Sequence, residues 1–73
     1  MSPEVLKALE ALQEAIDKNS DRAEEFSLLA ELAGHTDRPK YAKAFQQLAR
    51  SHRIKALELQ GQAAALRVEH GEI

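Results

Sequence analysis

"IDKNSDRAEEF", residues 16–26, places Asn19, Ser20 and Asp21 side by side. All three residue types favour caps and turns over helix interiors, because their side chains compete for backbone hydrogen bonds. A turn here would make the molecule a three-helix bundle. Without one, a single helix continues for twice the distance. Heptad spacing decides between them. Val5, Leu12, Asn19, Phe26 and Ala33 recur every seven residues, and Leu9, Ile16, Ala23 and Ala30 each follow four residues later. This is an unbroken apolar seam. Its phase runs straight across Asn19-Ser20-Asp21, which a turn would have no reason to preserve. Ser20 and Asp21 fall off the seam, where polar residues are tolerated. One continuous helix is therefore predicted. The alternative is a three-helix bundle with a break at Asn19–Asp21, where Asp21 and Glu24 would form a capping box.

Working outward, "SPE" at 2–4 reads as a helix start, with Ser2 as cap, Pro3 in the first helical position and Glu4 facing the positive end of the dipole. "AGHTDRPK" at 33–40 is the one strong breaker cluster. Gly34 suits a left-handed stop, Thr36 or Asp37 suits the next cap, and Pro39 suits the following first turn. Gly71 suits a second stop. Between these signals Phe45, His52, Leu59, Leu66 and Ile73 form a second heptad row, with Ala42, Ala49, Ala56, Ala63 and His70 as its companion.

Folded as a hairpin about residues 35–36, the two rows pair layer by layer. Leu12 faces Leu59, Asn19 faces His52, and Phe26 faces Phe45. Leu9 faces Ala63 and Ile16 faces Ala56. Polar meets polar, aromatic meets aromatic, and alanine meets either a large residue or another alanine. The expected fold class is all-α, a long antiparallel helical hairpin with helices at about 3–33 and 37–69. It forms a single domain over 1–73.

Each helix carries a second apolar face. Ile54, Leu57, Gly61, Ala64 and Val68 lie opposite the Phe45 row, and Leu28 and Leu32 point away from the first seam, with Leu29 at its flank. Soluble monomers avoid such a stripe. The expected remedy is a homodimer, two hairpins making a four-helix bundle, with these residues as the dimer or partner interface.

Composition narrows the chemistry. The 73 residues contain no cysteine, which removes disulfides and thiolate metal sites and suits a reducing, cytoplasmic setting. No apolar run reaches a membrane span, and "MSPEVLKALE" lacks the basic region and apolar core of a signal peptide. His35, His52 and His70 have no metal-ligand spacing, and Glu31 and His35 at i, i+4 stand alone. No phosphate loop, nucleophile elbow or paired carboxylate occurs. Neither a catalytic residue, a cofactor site nor a metal site is expected, so the chain is read as non-enzymatic.

Two polar features remain. Asn19 and His52 form one buried polar layer, read as a device that fixes register. The second feature is charge. Residues 1–33 carry three bases and eight acids, a net of −5, and residues 34–73 carry seven and four, a net of +3. Arg38, Lys40, Lys43, Arg50, Arg53 and Lys55 make a basic run that is expected to pair with Asp21, Glu24 and Glu25 of the first helix, or else to bind phosphates. Tyr41 and Phe45 are expected in the seam, not as platforms for stacking bases. The leading function is a helical interaction and assembly module that dimerises and engages another helical protein. The alternative is a small nucleic-acid-binding regulator using the basic 38–55 face.

Overall fold

The structure, a computed structural model, describes residues 1–71. It has two helices, α1 (Pro3–His35) and α2 (Pro39–Glu69), packed antiparallel. No break occurs at Asn19–Asp21, so the three-helix alternative does not hold. Ile73, the last member of the second seam row, lies outside the described residues.

The start of α1 follows the sequence. Ser2 is extended, and its Oγ accepts a hydrogen bond from the Val5 N–H at 3.3 Å, with Pro3 leading the helix. The hairpin end differs. Gly34 stays inside α1, which continues to His35, and the left-handed residue is Asp37, at φ 58°. The reason lies in the carbonyls. Thr36 donates from Oγ1 to Leu32 and Ala33, at 3.1 and 3.2 Å. The Asp37 N–H then reaches the Gly34 carbonyl and the Arg38 N–H reaches that of Ala33, at 3.4 and 3.0 Å. This is the Schellman closure with aspartate where glycine is usual, at a cost on the order of 1 kcal/mol for the positive φ. Thr36 and Asp37 therefore finish α1 and do not cap α2. The N-cap of α2 is Arg38, which makes no side-chain cap bond, and Pro39 pre-sets the first turn. At the far end Gly71 adopts φ 73°, and its N–H reaches the Val68 carbonyl at 3.2 Å, the stop the sequence predicts.

Nine described residues are buried and all belong to the two seam rows. Six are alanine; the larger three are Val5, Ile16 and Leu59. Small residues let the helices approach closely but bury little apolar area each. The densest region joins Ile16, Leu59 and Ala63, with Leu9, Leu12 and Ala15 packed on it. The result is a rod of 52 × 15 × 14 Å with a radius of gyration of 16.3 Å. A compact chain of this length has a radius of roughly 11 Å.

Candidate interaction surfaces

The polar layer sits mid-rod. Asn19 is at a seam position, so its side chain points at α2. Its Nδ2 donates to the Ala15 carbonyl at 2.8 Å, and its Oδ1 lies 2.9 Å from His52 Nδ1. An amide oxygen only accepts, so Nδ1 of His52 carries the proton. The imidazole stacks on Phe26, centroids 5.6 Å apart, and Phe26 stacks on Phe45 at 6.1 Å. Three layers of flat groups thus interlock across the seam. Asn19 and His52 are half-buried, not buried as expected, so water reaches the layer. Sliding one helix by a heptad would set Asn19 against Phe45 or Leu59 and lose the His52 bond, at a cost of about 0.5–1.5 kcal/mol.

The Nδ1–H bond to Asn19 is the layer's hydrogen bond across the seam. His52→Leu alone should cost about 0.5–1.5 kcal/mol, by removing it. Asn19→Leu with His52→Leu together should be neutral or stabilising, because a matched apolar pair leaves nothing unpaired. Urea denaturation of the three proteins checks this, and a double variant weaker than the single would refute it.

The basic run does not pair across the hairpin as expected. The ion pairs Arg22–Glu25 at 3.4 Å and Lys55–Glu58 at 4.0 Å each lie within one helix. Arg53 crosses to α1, but it donates to Ser27 Oγ at 3.0 Å and meets no carboxylate there. Arg38 lies 5.8 Å from the centre of the Tyr41 ring. Among the described residues Lys40, Lys43 and Arg50 have no carboxylate within ion-pair distance. The cause is geometric. Lys43 and Arg50 share one outward line of α2, seven residues apart, and Glu24 lines the groove that Arg53 enters but is not within ion-pair distance of it. Solvent screens what attraction remains.

The apolar residues off the seam are bare. Leu28, Leu32, Leu57 and Val68 are each more than 60% exposed and Ile54 is 46% exposed; Gly61 and Ala64 are open as well. A Cβ added at Gly61 would touch nothing. Tyr41 does not enter the seam. It is 58% exposed. It stands one residue before the seam position of Ala42, which turns its ring to the flank. There Tyr41, Leu29, Leu32 and the half-buried Phe45 line an open groove at the hairpin end. Leu48, about two turns along α2 from Tyr41, is likewise exposed. The sequence reading missed Tyr41 and Leu48 as surface residues. Their signal was present, because 41 and 48 share a heptad position beside the seam.

Among the described residues no three of His, Asp and Glu converge as metal ligands, and no helix is long and apolar enough to cross a membrane. Comparisons with protein-family models, with curated proteins and with solved structures each find no match. The functional reading therefore rests on the surface chemistry of this chain.

Proposed function

We propose that this chain is a non-enzymatic helical assembly module that acts as a homodimer, two hairpins completing a four-helix bundle. One observation carries it, the large apolar side chains left uncovered on a chain whose total surface is itself large for its mass. The chain exposes 5593 Å², against roughly 4,500 Å² for a compact monomer of 8.1 kDa. That excess includes leucines on two separate surfaces, one at the hairpin end and one along Ile54, Leu57 and Val68. A single docking cannot bury both rows on opposite sides of a thin rod. The dimer uses one, and the other receives a partner helix, with its apolar face laid along the row. A cysteine-free chain suits such work in the cytoplasm.

Sedimentation equilibrium at micromolar concentration tests the reading. The expected mass is twice the 8.1 kDa of one chain, with a melting temperature that rises with concentration. A monomer with a concentration-independent melt would refute it. The nucleic-acid alternative is favoured by the unneutralised Lys43 and Arg50. It predicts oligonucleotide binding that falls steeply with added salt, whereas apolar helix packing holds.

A further inference from the structure

The proposed dimer leaves open which face meets the second copy, and in which direction. The hairpin has two broad faces. Ser20, Glu24, Ser27 and Arg53 line a groove on one of them, and Glu31 and Gln46 line its continuation. Leu29, Leu32, Tyr41 and Phe45 line the groove on the other.

The first face has segregated charge. At heptad spacing α1 presents Glu10, Asp17, Glu24 and Glu31 there, with no base, and α2 presents Lys43, Arg50, Arg53 and Arg67, with no acid. A second copy turned end for end would lay acid on acid and base on base. A second copy in the same direction would set Lys43 and Arg50 against Glu31 and Glu24, but the same line continues as Leu57 and Ala64, which would meet Asp17 and Glu10, and exposed ion pairs contribute little.

The second face is different. Its α1 row runs Ala8, Ala11, Ala15, then Lys18, Arg22, Glu25, then Leu29 and Leu32, at alternating spacings of three and four. Small residues fill the open end and large ones the hairpin end. Charges of both signs are mixed, and the Arg22–Glu25 and Lys55–Glu58 pairs both lie here.

We infer, resting on the homodimer reading, that the second copy docks end for end on this second face, seating Leu29 and Leu32 of each chain on Ala11 and Ala8 of the other. In that register facing α1 residues have numbers summing to about 40. Large falls on small at both ends, so the helices keep one separation along their length. Lys18 of each copy then comes near Arg22 of the other, with Glu25 of the same helix one turn away, so size and not charge chooses the direction. The same-direction dimer on this face fails by size. It would set Leu32 on Tyr41 and Ala8 on Ala65. One end would be overfilled and the other hollow. The footprint also suits a dimer. A face 52 Å by 15 Å approaches the ~800 Å² per partner that stable interfaces bury.

The absence of cysteine makes cross-linking clean. Ala15→Cys with Glu25→Cys puts two thiols at facing positions across the inferred dimer, while within one helix they are ten residues, about 15 Å, apart. Asp17→Cys with Glu24→Cys does the same for the charged face. Under mild oxidation the first pair should give at least tenfold more covalent dimer than the second. Lys18→Cys and Arg22→Cys, one layer nearer the centre and carried on separate chains that are mixed because the two positions lie one turn apart in a helix, should cross-link as well, and this mixture replaces the first pair should that variant lose helical content. A native dimer in which only the 17/24 pair links, or in which no pair links, overturns this face and direction and leaves the homodimer standing. Monomeric mass for the unmodified chain removes both.

Discussion

Ile16→Ala is expected to destabilise the chain by about 3 kcal/mol. Ile16 is 5% exposed and, with Leu59 and Ala63, makes the densest part of the seam. Across the hairpin it meets Leu59 and Ala63. Leu59 is itself buried in the seam, so it can fill only part of the space, and the alanines already set a close helix approach. The void therefore stays largely open, which puts the substitution well above the minimum for lost transfer alone. A core of this size rarely supplies more than about 3–5 kcal/mol in all, so one methyl-rich side chain carries most of the margin. For a chain of this length the melting temperature should fall by roughly 12–24 °C at fixed protein concentration. Glu14→Ala, on the exposed side of the same helix, should change stability by less than about 0.5 kcal/mol. Thermal melts followed by circular dichroism make the comparison. A loss below about 1 kcal/mol for Ile16→Ala would mean that the core lies elsewhere.

The same layer shows why the hairpin was legible in the sequence. Asn19, Ser20 and Asp21 read locally as a stop, yet every apolar neighbour keeps its heptad phase through them. The helix resolves the conflict in Asn19's favour by giving its amide two partners, the Ala15 carbonyl behind it and His52 across the seam. Side-chain pairing across two long helices follows from periodicity, because a one-residue error would turn the whole row outward. Turn chemistry is set by fewer atoms. Gly34 and Asp37 both lie near the end of α1, and glycine is the stronger signal from propensity, but only position 37 takes the left-handed conformation. What chose Asp37 was the Thr36 hydroxyl closing on two carbonyls, together with Pro39, which restricts Arg38 and begins α2 at once. Neither is visible in a propensity.

The surfaces were legible as rows but not as faces. The Leu57 row stood out because it lies opposite the seam, where apolar residues have no business in a monomer. Leu29, Tyr41 and Leu48 stand beside the seam; Leu29 reads as a flank from the sequence, but Tyr41 reads as seam and Leu48 carries no distinguishing signal there. Only the solid geometry, with Tyr41 turned out beside Leu32, separates a flank from an interior. The basic run suffered the opposite error. Charge balance between the halves suggested pairing, but attraction between helices does not specify which carboxylate a lysine reaches, and outward-pointing charges settle for water.

Leu29→Glu with Leu32→Glu should convert the dimer to monomer while leaving the hairpin helical. Both side chains are well exposed in the isolated chain, Leu29 at 40% and Leu32 at 61%, so their loss costs the hairpin itself little. In the inferred dimer each would insert a carboxylate against Ala11 or Ala8 of the second copy, and Arg38, the one base lining that groove, can answer only one of the two. An unpaired charge moved out of water there costs several kcal/mol, and the two-fold doubles every change. The dissociation constant should rise by at least about 100-fold, which is roughly 3 kcal/mol. Leu57→Glu provides the contrast. It lies on the back of α2, so it should leave the dimer mass unchanged and abolish capture of a partner helix along the Ile54–Val68 row. Analytical ultracentrifugation of the three proteins separates the cases, with circular dichroism confirming that helix content is kept. If Leu57→Glu dissociates the assembly and the Leu29/Leu32 variant does not, the two surfaces exchange roles, and the leucines of the hairpin end become the ones offered to another protein.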